Sequence, residues 1–206
     1  QVLDELPIRD LVSWNALISG YTQHGQGHEA LICFGQMQKE GLSPDSITFI
    51  SILKACASIG AIDKGQKIHA EISRQGLLEG DAAIGSALVD MYVKCNRLEQ
   101  ARKAFNKLLV RDVVSWSALI AGYSQNNHSE EALICFEQMK REGIAPNGIT
   151  LASSLKACGN IGAAQKGKEI HEHIEQKGWL KSDQIVGNAL VDMYLKCGLL
   201  TKAQEV

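Results

Sequence analysis

Arg9-Asp10-Leu11-Val12-Ser13-Trp14 decides how this chain folds, because nearly the same residues return as Arg111-Asp112-Val113-Val114-Ser115-Trp116. The offset between the two copies, 111 − 9 = 102 residues, holds along the chain, and about half of the paired positions in 9–104 and 111–206 are identical. A fixed period of this kind is typical of an array of repeats and not of a globular enzyme.

The 102-residue unit divides into three shorter pieces. Similar helix-opening runs, Val12-Ser-Trp14, Ile47-Thr-Phe49 and Ile84-Gly-Ser86, fall at corresponding places in pieces of 35, 36 and 31 residues, whose lengths sum to 102. Within the first piece, apolar residues recur at helical spacing in two stretches, with glycines between them and Pro44-Asp45 after them. Each piece therefore predicts two amphipathic helices.

Helices of about a dozen residues are marginal alone and must bury their apolar stripes against neighbouring hairpins. The pattern therefore predicts an all-α fold, a right-handed α-solenoid of stacked helix-turn-helix repeats. Both ends of the chain are expected to be cut inside a hairpin: Gln1-Val-Leu-Asp-Glu-Leu6 parallels 103–108, and 203–206 stop where 101–104 continue. We expect a fragment of a longer array.

Composition limits the choice of partners. No apolar run approaches the ~20 residues that a membrane span needs, and no signal or transit peptide is visible at Gln1, so we expect no membrane partner. The 21 basic residues against 23 acidic ones lack the basic excess of many nucleic-acid-binding proteins. Two interpretations of a nucleic-acid partner remain: base contacts dominate, or basic residues gather on one face.

The pattern of cysteines and histidines indicates packing and not catalysis. Six cysteines recur as pairs on helical stripes without a Cys-x-x-Cys, as expected of buried thiols in a reducing compartment: Cys33, Cys56, Cys95, Cys135, Cys158 and Cys197. His69-Ala-Glu71 matches half of the zinc-deaminase signature, but the Pro-Cys-x-x-Cys half is absent and the other copy reads His171-Glu-His173. We expect packing histidines, no catalytic residue, no metal and no cofactor.

Several motifs closely resemble the pentatricopeptide repeat family in its plant form with alternating P, L and S motifs: Val12-Ser-Trp-Asn-Ala-Leu-Ile-Ser-Gly-Tyr21, Glu29-Ala-Leu-x-x-Phe34-x-x-Met37, Gly41-x-x-Pro44-Asp45, Lys67-Ile-His69 and Ala87-Leu-Val-Asp-Met-Tyr92-x-Lys-Cys95. The resemblance covers essentially the whole chain. It implies the end of a preceding S motif in 1–10, P motifs in 11–45 and 113–147, L motifs in 46–81 and 148–183, an S motif in 82–112 and an incomplete S motif in 184–206.

This resemblance implies sequence-specific binding of single-stranded RNA, with one motif facing one nucleotide. In the family, the fifth residue of a motif bonds the Watson–Crick edge of a base, the last residue supports it, and an apolar second residue packs on base faces. An unpaired base offers both that edge and that face.

Carried over motif by motif, the resemblance implies a base-specifying set of seven residues. Asn15 with Asp45 resembles the U-preferring pair, Ser86 with Asp112 the G-preferring pair, and Ser117 with Asn147 the A-preferring pair. Asn188 suggests a pyrimidine. In the L motifs, Ile50 pairs with Asp81 and Ala152 pairs with Asp183. These apolar fifth residues should contribute little to the choice of base. The expected site is 5′-U-N-G-A-N-Y-3′. The base-stacking residues would be Val12, Ile47, Val114, Ile149 and Ile185.

Structural explanations compete at many of these positions. The Asp and Asn residues that end the motifs also suit helix N-caps, each worth roughly 1 kcal/mol. The apolar second residues could equally serve packing between repeats, and Ala83 breaks their pattern. Polar fifth residues in an apolar helical run are costly unless they meet solvent or a ligand. Lys94 and Lys196 are candidate phosphate contacts, with plain solvation as the alternative.

Two classes of function follow. The favoured one is an RNA-binding specificity module of an organellar RNA editing or processing factor, in a mitochondrion or chloroplast as the resemblance implies. The fragment itself is not expected to be an enzyme, because the deaminase-like DYW domain of such proteins is absent from it. The alternative is a protein-binding scaffold like the tetratricopeptide arrays. Two further partners stay open: editing-factor proteins on the L motifs, and other copies of the chain stacked end to end.

Overall fold

The computed structural model describes residues 10–179 and 183–206, and in this part the chain forms twelve α-helices in successive pairs. The first helices of the pairs are α1 Leu11–Gln23, α3 Ser46–Ile59, α5 Ala82–Lys94, α7 Val113–Gln125, α9 Gly148–Ile161 and α11 Gln184–Lys196. The second helices are α2 Gly27–Lys39, α4 Ile62–Arg74, α6 Leu98–Asn106, α8 Ser129–Arg141, α10 Ala164–Lys177 and α12 Leu200–Glu205. Of the predicted motif end in 1–10, only Asp10 lies inside the described residues.

Short polar residues fix where each first helix begins. The N-caps are Asp10, Asp45, Asp81, Asp112, Asn147 and Asp183, and each side chain accepts a backbone N–H of the first turn. At Asp10, Asp45 and Asp112 the third helical residue bonds back to the cap and completes a capping box. The N-cap interpretation of these residues is confirmed. Among the described helices, the second helix of each pair begins without a side-chain cap bond.

The described residues form two compact units, which divide between Arg111 and Asp112. In the first unit, α1 packs on α2 and α3, α3 packs on α4 and α5, and α5 packs on α6. The same order of contacts links α7 to α12 in the second unit. Each unit therefore stacks helical hairpins so that successive first helices are neighbours, around buried side chains such as Trp14, Phe49 and Trp116. No helix in the described part is long and apolar enough to cross a membrane.

Candidate nucleic-acid interface

The first P motif holds its fifth and last residues in a hydrogen-bonded cluster. Asn15, on α1, donates from Nδ2 to Oδ1 and Oδ2 of Asp45, both at 3.0 Å. Thr48, in the first turn of α3, donates from Oγ1 to Oδ1 of Asn15 at 2.6 Å and lies 2.8 Å from Oδ1 of Asp45. Asn15 is 8% exposed and Thr48 is fully buried. The cluster fixes the orientation of the Asn15 amide.

The second P motif builds the corresponding cluster from different side chains. Ser117 Oγ lies 3.1 Å from Oδ1 of Asn147 and 2.9 Å from Oγ1 of Thr150. It also donates to the carbonyl oxygen of Val113, one helical turn back. Thr150 bonds to Oδ1 of Asn147 through both its backbone N–H and its hydroxyl. Ser117 is 5% exposed, so this site is also largely buried.

These contacts correct one expectation from the sequence. We expected that Asn15 and Ser117 would need solvent or a ligand, because each lies in an apolar helical run. The structure shows instead that neighbours at the start of the next first helix already satisfy much of their hydrogen-bonding capacity. Their polarity therefore has a structural explanation, and a ligand would use only the lone pairs and N–H groups that remain.

The hydrogen bonds also set the charge of Asp45. Partial burial raises the pKa of its carboxyl, but bonds from the Thr48 backbone, the Thr48 hydroxyl and the Asn15 amide outweigh that effect. The net result is a pKa below its ordinary value of 3.8. Asp45 is therefore a carboxylate at neutral pH, while the second cluster has the neutral amide of Asn147 in the same place.

The other predicted base-specifying residues lie on α5, at the start of α7 and on α11. Ser86 is buried on α5 in the first unit, and Asp112 caps α7 in the second unit. Asn188 is exposed on α11. In the L motifs, the fifth residues Ile50 and Ala152 are each half-buried.

The predicted base-stacking residues form an exposed apolar set. Their exposed fractions range from 55% to 74%: Val12, Ile47, Val114, Ile149 and Ile185. Packing between repeats was the alternative explanation for these side chains, and it is wrong at this level of exposure. Residues three apart on a helix share a face, so Val12 lies beside Asn15 and Val114 beside Ser117. Base stacking by these residues stays a prediction.

The two candidate phosphate contacts are engaged in ion pairs. Lys94 Nζ lies 2.8 Å from Oδ2 of Asp90, and Lys196 Nζ lies 2.7 Å from Oδ2 of Asp192. Both pairs join residues four apart on one helix. Exposed pairs of this type contribute only about 0.3–0.5 kcal/mol, but each aspartate offsets the charge that a phosphate would meet.

The histidines and cysteines serve packing, as expected. Nδ1 of His69 lies 2.8 Å from the hydroxyl of Tyr92, and His171 makes the same contact with Tyr194. The six thiols are free and buried or half-buried. Burial raises the pKa of Cys56 to about 11, which leaves this thiol unreactive at neutral pH.

Thr48 and Thr150 are the residues that sequence reasoning missed. Both are the third residue of an L motif, inside an apolar run, where a small β-branched side chain suggests core packing. A signal was available, because Asp45-x-x-Thr48 and Asn147-x-x-Thr150 have the spacing of an N-cap and its third helical residue. That spacing places a hydroxyl beside the last residue of the preceding motif.

The repeats of this chain match the models of a known repeat family. The pattern described as the PPR repeat family matches residues 9–58 and 111–160, and the pattern described as the PPR repeat matches residues 86–113. Together these matches cover more than half of the chain. The chain belongs to the PPR repeat family.

Curated relatives agree with this assignment. The chain is 39% identical over 197 residues to the chloroplastic pentatricopeptide repeat-containing protein At1g11290 of Arabidopsis thaliana, covering 96% of this chain and 24% of the relative. It is 38% identical over 206 residues to the putative mitochondrial protein At3g13770 of the same plant, covering 100% of this chain and 32% of the relative. The chain thus spans about a quarter to a third of these relatives.

Solved structures show the fold. PPR10 in complex with an 18-nt psaJ RNA element aligns with 99% of this chain and 30% of its own, at 21% identity and a TM-score of 0.77. PPR10 from maize aligns over the same shares at 24% identity and a TM-score of 0.71. This similarity confirms the predicted all-α solenoid of helical repeats.

Proposed function

We propose that this chain binds single-stranded RNA and reads it with one motif per nucleotide. The observation that carries the proposal is the pair of buried clusters at Asn15 and Ser117, each beside an exposed apolar second residue. Such a site offers a base a fixed polar edge and an apolar face together. The likeness to PPR10, which was solved with an RNA element, supports the same function.

The Asn15 cluster suits uracil. One N–H of the Asn15 amide is sufficient for the contacts with Asp45, and the Thr48 hydroxyl uses one lone pair of Oδ1. One N–H and one lone pair then remain for a ligand. The Watson–Crick edge of uracil carries an N3–H donor beside carbonyl acceptors, so it complements both groups. Because the amide is already oriented, binding costs less side-chain entropy.

The Ser117 cluster suits adenine. Asn147 Oδ1 is occupied by Thr150, whereas the amide nitrogen of Asn147 has no partner among the residues that the structure describes. That nitrogen can donate to N1 of adenine, and a lone pair of Ser117 Oγ can accept from the N6 amino group. The two P motifs thus present different patterns of donors and acceptors to their bases.

The proposal extends to the type of array, the target sequence and the cellular role. The chain is a PLS-type array that selects 5′-U-N-G-A-N-Y-3′, with the L motifs as weak readers, and it serves as the specificity module of an organellar RNA editing or processing factor. The chloroplastic and mitochondrial names of the relatives support the organellar location. Catalysis would then lie outside this chain.

A binding titration tests the proposal. Labelled RNA containing 5′-UUGAUC-3′ is compared at low salt with the same RNA in which G and A are exchanged. We expect the first RNA to bind at least tenfold more tightly, since about 1.4 kcal/mol of lost hydrogen bonding corresponds to a factor of ten. Equal binding of both would remove one-motif-one-base reading, and no binding of either would favour the protein-scaffold alternative.

A further inference from the structure

Charged residues are rare on the first helices of this chain. The six helices contain only four lysines and two aspartates, namely Lys54, Asp90, Lys94, Lys156, Asp192 and Lys196. Four positive charges against two negative ones leave these helices with a net charge of +2, although the whole chain carries −2. The N-cap aspartates lie at the start of these helices, whereas all four lysines lie in the later turns.

Two of these four lysines pair with an aspartate of their own helix, and two do not pair with any residue that the structure describes. Lys94 and Lys196 pair with Asp90 and Asp192. Lys54 and Lys156 are exposed, and neither makes an ion pair with a residue that the structure describes. Neither was singled out by the sequence, because their L motifs were expected to contribute little to binding.

Lys156 opens onto a groove between first helices of the second unit. The groove has a volume of about 320 Å³ and is lined by Ser124 and Gln125 of α7, Ala152 and Lys156 of α9, and Asn188 and Asp192 of α11. Lys156 follows Ala152 by four residues, so both lie on one face of α9. The charge of Asp192 is offset by Lys196 at 2.7 Å, which leaves Lys156 as the uncompensated charge of the groove.

We infer that Lys156, and Lys54 at the same position of α3, bind the phosphate backbone of the RNA. The inference rests on the proposed function and adds a role for the L motifs. The fifth residue of each helix faces a base, and a lysine one turn later meets the phosphate that accompanies it. An L motif with an apolar fifth residue then anchors the strand without reading it, while the P motifs read.

The salt dependence of binding measures these contacts directly. Each phosphate neutralised on a single strand contributes about 0.7 to the slope of log affinity against log salt. Lys156→Ala and Lys54→Ala should each reduce that slope by about 0.7, and the double variant by about 1.4. Between 1 M and 50 mM salt, a slope of 0.7 corresponds to about eightfold in affinity, so each variant should bind about eightfold more weakly at the lower salt.

Matched controls come from the second helices of the same hairpins. Lys64→Ala on α4 and Lys177→Ala on α10 also remove one exposed lysine each, and they should leave the slope unchanged. The probe is the labelled 5′-UUGAUC-3′ RNA, titrated from 50 mM salt upward. Thermal unfolding of all four variants, followed by circular dichroism, should match that of the parent chain.

The outcomes separate the two proposals. If the parent chain binds the RNA and selects its sequence, but Lys54→Ala and Lys156→Ala keep the full salt slope, the phosphate assignment is overturned and the proposed function stands. If all four lysine variants reduce the slope equally, the attraction is a property of the net charge and the assignment is again overturned. If the parent chain does not bind, both proposals fail.

Discussion

Replacing Thr48 with valine should uncouple the first P motif from the helix that follows it. Valine keeps the shape of threonine and removes only the hydroxyl, which lies 2.6 Å from Oδ1 of Asn15 and 2.8 Å from Oδ1 of Asp45. The position is fully buried, so water does not replace the lost donor. Of the contacts described above, the Asn15 amide would then keep only those with the Asp45 carboxylate.

The expected magnitude follows from counting protons. A hydroxyl has one proton, so it donates to one of these two oxygens at a time. The same hydroxyl also accepts the Asp45 backbone N–H at 3.3 Å, so the change removes one donated hydrogen bond and the returning bond of the capping box. Leaving a buried acceptor unsatisfied costs about 1–3 kcal/mol. We therefore expect Thr48→Val to lower the free energy of unfolding by about 2 kcal/mol and to weaken the preference for U at the first base.

Urea unfolding of a double-mutant cycle tests this network. The cycle combines Thr48→Val with Asn15→Ala, and residues in one hydrogen-bond network show interaction energies of about 0.5–3 kcal/mol. Thr22→Val is the control, because the Thr22 hydroxyl bonds mainly to the Ile18 carbonyl of its own helix, which already accepts a helical N–H. An interaction energy near zero, or equal losses in Thr48→Val and Thr22→Val, would refute the network.

Three further predictions concern stability and reactivity. Gly85→Ala would place Cβ 2.5 Å from Cδ2 of buried Leu108 and should lower the free energy of unfolding by about 1–2 kcal/mol. Gly187 occupies the corresponding position of α11 with open space around it, so Gly187→Ala should raise the free energy of unfolding by about 0.5–1 kcal/mol. Chemical denaturation of both variants measures the difference. Cys56, with a pKa of about 11, should resist alkylation at neutral pH in the native chain and react once the chain is unfolded, as mass spectrometry would show. Because the pKa of Asp45 is lower in the folded chain than its ordinary value of 3.8, its ionised carboxylate stabilises the fold above pH 3.8, and this stabilisation is lost as the pH falls through the pKa of the folded chain. Asp45→Asn should therefore make the free energy of unfolding depend less on pH in the acid range.

The helices of this chain were predictable from the sequence. The fixed offset of 102 residues locates the repeats, and an Asp or Asn stands directly before each first helix. Local signals of this kind depend on residues close together in the chain. The assignment of Asn15 with Asp45 required the family resemblance, and the structure then placed both side chains within 3.0 Å.

The chemical state of the site was not predictable in the same way. Thr48 contacts Asn15 across 33 residues of sequence, so no local pattern predicts the bond between them. Lys94 and Lys156 look alike as exposed lysines late in a helix. Lys94 has an aspartate four residues before it, and Lys156 has Ala152 there, so in this case the spacing of four residues in the sequence does separate a paired charge from an unpaired one.

Giving the second P motif the fifth and last residues of the first P motif tests the central claim most directly. Ser117→Asn with Asn147→Asp gives the second P motif the Asn–Asp pair of the first, and both proteins are titrated with 5′-UUGAUC-3′ and 5′-UUGUUC-3′ RNA. The account predicts that the parent chain prefers A at the fourth base and that the double variant prefers U there, each by about tenfold, with overall affinity retained. Equal binding of both RNAs by both proteins would contradict the account.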